Sequence, residues 1–246
     1  MPKPDYGLDA PKLVRKFAVR GVLLIAFAVV LYFANRNASP GVAAPLAGVI
    51  LLIGAVFAAV AGIMVLSSRY AKLRVRDRIL DSIPWRGDET VLDVGCGRGL
   101  FLVGAAKRLK TGKATGVDIW QAEDLSGNSA EAVLANAKAE GVSGRIKIET
   151  TDARKLPFAA NSFDVVVSSL AIHNIPSSQE RTKALREIAR VLKPGGYLAI
   201  LDIFHTTEYA KTIGQLGLTD IHLSPLTLLW CLPTRSLTAR KPTVNN

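Results

Sequence analysis

Three carboxylates and a run of glycines mark the stretch of this chain best suited to hold a small charged ligand. Asp93-Val94-Gly95-Cys96-Gly97-Arg98-Gly99 places three glycines within five residues, two positions after an acid. Glycines accept positive φ and let the backbone approach a ligand closely. A GxG loop alone is weak evidence, because dinucleotide enzymes use GxGxxG at the same place. Here the third glycine comes two residues after the second, and Leu100 stands at the dinucleotide position. An acid beside a pyrophosphate is repelled, whereas beside an ammonium or a sulfonium it is attracted. The expected ligand is therefore a cationic nucleoside rather than a dinucleotide. Asp118 follows the loop by about 20 residues, the spacing that sets a carboxylate against ribose hydroxyls in either kind of site. Asp152 comes later, in Thr151-Asp152-Ala153. Singly, Asp118 equally fits a helix cap and Asp152 a turn residue. Together with the glycine loop, the three acids suit an adenosine carrying an amino acid and a positive sulfur.

The elements that must position these groups alternate. Thr90–Val94 reads as a strand, Leu100–Leu109 as a helix and Lys113–Ile119 as a second strand ending in Asp118. Asn128 with Glu131 three residues on forms a capping box for a helix running to Glu140, closed by Gly141. Arg145–Thr150 is a third strand. Phe163–Ser168, nearly continuous in valine, is a fourth, buried on both faces. A helix over Ser178–Leu192 stops at Lys193-Pro194-Gly195-Gly196 and leads into a fifth strand, Tyr197–Ile203. A short helix over Thr207–Leu216 and two strands, Asp220–Ser224 and Ser236–Lys241, close the pattern. Strands alternating with helices predict an α/β fold, with an open, mostly parallel sheet covered on both faces. Ligands bind such sheets at the carboxyl ends of the strands.

The first third of the chain is different in kind. The protein has 246 residues, is 49% hydrophobic and carries a net charge of +11, and its mean hydropathy of +0.26 is high for so charged a chain. Residues 1–87 hold 12 Lys and Arg against 4 Asp and Glu, whereas residues 88–246 hold 19 against 16. A nucleic-acid enzyme usually carries its basic excess beside its active site; here the excess accompanies two apolar runs, Phe17–Ala34 and Gly41–Leu66, so nucleic acid is not the expected partner. At roughly 1.5 Å per residue each run approaches or spans a hydrocarbon core of about 30 Å. A transmembrane hairpin in a lipid bilayer is predicted. Lys12, Arg15, Lys16 and Arg20 precede it and Arg69, Lys72, Arg74, Arg76 and Arg78 follow it. The positive-inside rule then puts both ends and the following domain on the cytoplasmic side of the cell membrane. A cleaved signal peptide and a pair of buried soluble helices are the other readings. The second apolar run argues against the first, and the lack of a polar face on either run against the second. Ala58-x-x-x-Gly62 offers a close helix contact between copies, as an oligomer; small-residue composition is the other reading. The expected layout is residues 1–68 as membrane hairpin, 69–87 as a basic connector helix and 88–246 as the α/β domain. Two cysteines, Cys96 and Cys231, form no CxxC pair and exclude a disulfide scaffold or a cysteine metal site.

Val91-Leu92-Asp93-Val94-Gly95-Cys96-Gly97-Arg98-Gly99 resembles motif I of the class I S-adenosylmethionine-dependent methyltransferases. Further matches follow in order: Gly116-Val117-Asp118-Ile119, Asp152-Ala153 with Leu156-Pro157-Phe158, Phe163-Asp164-Val165-Val166 with Ser168-Ser169, and Leu192-Lys193-Pro194-Gly195-Gly196. The resemblance covers about residues 85–241 and is strongest to the small-molecule branch near the ubiquinone and menaquinone methyltransferases. It implies a Rossmann-like, seven-stranded sheet of order 3-2-1-4-5-7-6 with an antiparallel last strand, and S-adenosyl-L-methionine as cofactor. It implies that Asp93 and the backbone of Gly95, Cys96, Gly97 and Gly99 hold the methionine end. Asp118 would accept from the ribose, with Ile119 against adenine. Asp152 and Ala153 would meet the adenine edge, and Ser169 and Leu170 would border the methyl group.

Methyl transfer is an in-line displacement, so alignment and exclusion of water matter most, and a base is needed only for a protonated nucleophile. His173, just past the fourth strand, is the candidate base; packing within its loop is the other reading. His205 and Tyr209 are candidates for the acceptor pocket, Trp120 and Gln121 for an adenine cover, and His222 for a structural place in a strand. The absence of an Asn-Pro-Pro-Tyr or Asp-Pro-Pro-Tyr sequence after the fourth strand argues against methylation of exocyclic base amines. The expected acceptor is a small apolar or lipid-like molecule reached from the cytoplasmic leaflet. A soluble acceptor with the hairpin as mere anchor, and an inactive cofactor-binding membrane protein, are the alternatives.

Overall fold

Proline at the first turn of a helix costs little, because its missing N–H would have no partner there. Both long helices of the computed structural model begin that way: α1 at Pro11–Asn35 and α2 at Pro40–Leu66. The structure describes residues 3–37, 39–121, 125, 127–229 and 232–243; Cys231 lies outside them. The helices pack antiparallel at a crossing made by Gly21 and Gly54. A Cβ on Gly21 would stand 2.9 Å from the Ala58 nitrogen, and one on Gly54 would stand 3.0 Å from the Ile25 nitrogen. Phe17 and Phe57 add a ring contact at 5.5 Å. Ala58 lies at this crossing, whereas Gly62 meets nothing within 4 Å in the chain. Val22, Leu23, Val30, Leu52 and Val56 stay more than half exposed. Both helices are long and apolar enough to cross a membrane.

α2 does not end at its last apolar residue. It passes through one wide π turn, Ser67–Ala71, into α3, Lys72–Asp81. α3 is the basic connector, and it belongs to the domain it leads to: Ile79, Leu80 and Ile83 join the core beneath the sheet. A π turn displaces the following side chains around the helix. Here Ser68 and Lys72 come to face the segment before α1.

The sheet follows from period-two and all-apolar runs. Its strands are β1 Thr90–Val94, β2 Lys113–Asp118, β3 Ile146–Thr150, β4 Phe163–Ser169, β5 Leu192–Asp202, β6 Thr219–Leu223, β7 Thr227–Leu229 and β8 Leu232–Arg240. Their order is β3-β2-β1-β4-β5-β8-β6, with β7 paired to the start of β8. β1 to β5 are parallel and β8 runs antiparallel between β5 and β6. This is the expected 3-2-1-4-5-7-6 arrangement, with the short β7 as an addition. The helices are α4 Leu100–Ala106, α5 Ala130–Ala139, α6 Ser178–Val191 and α7 Thr206–Gln215. Two expectations shift. The α5 cap is Ser129, whose side chain accepts from the Ala132 N–H, while Asn128 bonds the Gln121 carbonyl. β5 starts at Leu192 rather than Tyr197, because Leu192 pairs with Phe163 before a register shift absorbs Lys193–Gly196.

Candidate functional site

The carboxyl ends of β1, β2 and β4 open onto a cavity of about 450 Å³. Among its walls are Asp93, Gly95, Cys96, Gly97, Asp118, Ile119, Gln121, Asp152, Ala153, Ser169, Leu170 and His173. The loop after β1 must bend sharply there. Gly95 sits at φ +71°, and a Cβ on it would fall 2.2 Å from the Ala171 Cβ, so any side chain would close the floor of the cavity. Gly99, expected among the cofactor contacts, lies outside this lining. It caps α4 at φ +83°, and a Cβ there would meet Val133 at 2.9 Å. Its task is to let α4 approach α5.

Asp93 is 1% exposed, and its Oδ1 has no hydrogen-bond partner. Burial pushes its carboxyl up to about 8, against an ordinary 3.8. A buried acid with an unmet oxygen is costly unless a cation joins it. The ammonium of an amino-acid ligand is such a cation. Asp118 ends β2 and ties two turns together: its Oδ2 accepts from the Gly97 N–H at 2.8 Å and its Oδ1 from the Trp120 N–H at 2.7 Å. Each oxygen retains a second lone pair for a ribose hydroxyl. Ile119, beside it, is half exposed and offers an apolar face for a base. The turn that Asp118 holds sets Trp120 at φ +59° and sends its indole N–H to the Thr150 hydroxyl at 2.8 Å. Trp120 therefore turns away from the cavity, and Gln121 alone of that pair lines it. Asp152 is gripped by its neighbour Arg154 through both oxygens, Nε–Oδ1 and Nε–Oδ2 each at 2.9 Å, and that bonding holds its carboxyl below the usual range. A ligand amine must share Asp152 with Arg154. Burial, and the nearby Asp93 and Asp118 carboxylates, push the Cys96 thiol well up, so it stays protonated and is no nucleophile.

His173 sits in a single helical turn, Ile172–Asn174, after β4. Its backbone N–H donates to Asp202 Oδ2 at 3.1 Å, and its Nδ1 lies 2.5 Å from Asp202 Oδ1. Despite this proximity, Nδ1 makes no hydrogen bond of acceptable geometry. Asp202 ends β5 at 1% exposure, and Tyr209 donates its hydroxyl to Asp202 Oδ2 at 3.3 Å. Tyr209 is thus fully buried beneath the site instead of lining it. His205 caps α7 at φ +61°, 3.6 Å from Glu208, and does not line the cavity. His222 is exposed on β6.

The sequence gives no sign of the far wall. Tyr6, Asp9 and Ala10, before α1, together with Met64 of α2 and Lys72 of α3, line the same cavity. The segment is strapped down by long-range bonds. Asp5 exchanges hydrogen bonds with Asn136, N–H to Oδ1 at 2.7 Å and carbonyl from Nδ2 at 2.9 Å. Arg98 reaches the Asp5 carboxylate at 2.8 Å. The Lys72 ammonium, almost wholly buried, donates to the Tyr6 and Gly7 carbonyls and to Asp9 Oδ2 at 2.8–3.0 Å. Leu170 packs into the cluster formed by Val14, Ala61 and Met64.

A family profile described as a methyltransferase domain matches residues 92–200. The chain is 35% identical over 135 residues to a 27-O-demethylrifamycin SV methyltransferase of Amycolatopsis mediterranei, covering 54% of this chain and 45% of that protein. It is 32% identical over 133 residues to a demethylmenaquinone methyltransferase of Staphylococcus aureus, covering 54% and 50%. The chain thus spans about half the length of the curated relatives it matches. The solved structure of the [4+2]-cyclase SpnF is similar at a TM-score of 0.59, with 20% identity over 72% of this chain and 82% of that one. That likeness speaks to the fold, not the chemistry. The cavity at the carboxyl ends, the unmet Oδ1 of Asp93 and the profile match point one way: residues 92–200 are similar to a methyltransferase domain, and to the small-molecule enzymes that include the demethylmenaquinone methyltransferases.

Proposed function

We propose that this protein is a membrane-anchored methyltransferase whose acceptor is a small apolar or lipid-like molecule presented at the cytoplasmic leaflet. In this reading residues 1–68 anchor the chain, 69–87 connect and 88–246 carry the chemistry. One observation carries it. Leu170, beside the position expected for the transferred methyl, packs against Val14 of α1 and Met64 of α2, and Ala10 and Met64 share a cavity with Asp93. An acceptor leaving the bilayer along these helices would enter the cavity without crossing bulk water. The low burial of both helices, 11% and 17% over their apolar windows, supports a lipid environment.

S-adenosylmethionine supplies a methyl group on a positively charged sulfur. The chain's residues would do the rest. Asp93 would pair with the ammonium and Asp118 would accept from the ribose. Met64, Leu170 and the strap over Asp5–Ala10 would keep water out, which strengthens every charge interaction inside. His173, held at Nδ1 by Asp202, would present Nε2 to take a proton from the acceptor hydroxyl, enol or amine. The test is transfer of labelled methyl from S-adenosylmethionine to a native membrane extract by purified protein. Label in a solvent-extractable lipid fraction is the expected result. Label confined to the aqueous fraction, by protein that binds the cofactor product, would refute the apolar acceptor.

A further inference from the structure

The direction of α2 fixes which edge of the domain meets the membrane. α2 and α3 form one helical run, Gly41–Asp81. Lys72 at its upper part lines the cavity, while Trp85, four residues past its end, lies just before the start of β1. The run therefore descends alongside the strands, and α2 projects beyond their carboxyl ends. Any bilayer around α2 lies above that edge.

Two other apolar elements stand on the same edge. Phe204, just after β5, is 50% exposed. The β7–β8 hairpin rises past the end of β5. Asp202, the last β5 residue, pairs with Arg235, and β8 continues for three more residues, to Leu232, paired there with β7. At about 3.3 Å per residue the hairpin stands roughly 10 Å above the sheet edge. Leu226 is 54% and Leu228 75% exposed, and residues 224–233 carry no charged side chain. An edge hairpin in water is normally blunted by charge. Laterally, β8 lies two strands from β4, about 10 Å, and β4 leads into Leu170 against Val14 and Met64.

We propose that the β7–β8 hairpin, through Leu226 and Leu228, is a second membrane contact that dips into the cytoplasmic leaflet. With the ends of α1 and α2 it would bracket the mouth of the cavity. The inference rests on the membrane reading above and adds a site to it. The occupant is the bilayer, because the hairpin's apolar side chains continue the apolar surface of α1 and α2 on one edge. The test uses the full chain in nanodiscs, with Cys231→Ser and one new cysteine bearing a polarity-sensitive dye; buried Cys96 stays unlabelled. Leu228→Cys reports the hairpin, Leu52→Cys the middle of α2, and Ser143→Cys the opposite edge of the sheet. The expected result is a blue-shifted emission at 228 quenched by spin labels near the lipid headgroups, quenching at 52 by deep spin labels, and neither at 143. Quenching at 52 with an unshifted, unquenched 228 would overturn the inference and leave the anchor intact. A blue shift at 228 without lipid quenching would assign the hairpin to a protein contact, such as a second copy, and also overturn it. No quenching at 52 would remove the membrane reading, and this inference with it.

Discussion

Asp93→Asn weakens cofactor binding at least about 30-fold while making the ligand-free protein more stable above pH 8. The two effects have one cause. In the free protein the Asp93 carboxyl is buried with an unmet oxygen, and its value is pushed from 3.8 to about 8 by desolvation. A raised carboxyl stabilises the folded state at low pH, and that contribution is lost as pH rises from about 4 through 8. Asparagine never ionises, so the variant escapes the loss. An ammonium placed beside Asp93 reverses the balance by favouring the charged form. Below pH 8 the free carboxyl must release a proton on binding, so wild-type affinity falls as the pH drops, by up to about tenfold per unit. Removing one member of such a buried charge pair costs about 2–5 kcal/mol, between roughly 30-fold and several thousand-fold in affinity. Titration of S-adenosylhomocysteine at pH 6, 7 and 8, in buffers of different ionisation enthalpy, measures both the affinity and the proton released. A wild-type affinity that ignores pH, with no proton release, would contradict this role for Asp93.

His173→Gly lowers kcat by about 10²- to 10⁴-fold, the usual contribution of a positioned base, and leaves S-adenosylhomocysteine binding unchanged. Added imidazole restores part of the rate, which a purely packing role would not allow. Asp202 acts through His173: it lies 2.5 Å from Nδ1 and accepts the His173 backbone N–H. Asp202→Asn therefore lowers kcat with little change in KM, and does so only when His173 is present. A full rate in His173→Gly would show that the acceptor arrives already deprotonated.

Local signals made one side of the cavity legible. Gly95, Gly97 and Asp118 act within a few residues of one another, and a turn or a strand end is written in adjacent residues. The alternation announced an open parallel sheet, whereas the order of its strands came only from the family resemblance. What escaped the sequence depends on contacts across long separations. Lys72 meets Tyr6 and Asp9, and Asp5 meets Asn136, pairs that no periodicity announces. The Gly21–Gly54 crossing is set by two surfaces together, so a small-residue spacing within α2 alone does not announce it. Trp120 departs from the expected adenine cover for a subtler reason. Asp118 bonds its N–H and turns the backbone to positive φ, which swings the ring out toward Thr150. Asp202 was overlooked as the partner of His173, although a carboxylate ending a strand is the same sign that marked Asp118.

The central claim is that the cavity holds S-adenosylmethionine. Calorimetric titration of S-adenosylhomocysteine into detergent-solubilised full-length protein tests it most directly, with Asp118→Ala measured alongside. The predicted result is micromolar binding by the wild type and its loss in a variant that remains folded. No binding by folded wild-type protein, or undiminished binding by Asp118→Ala, would contradict the account.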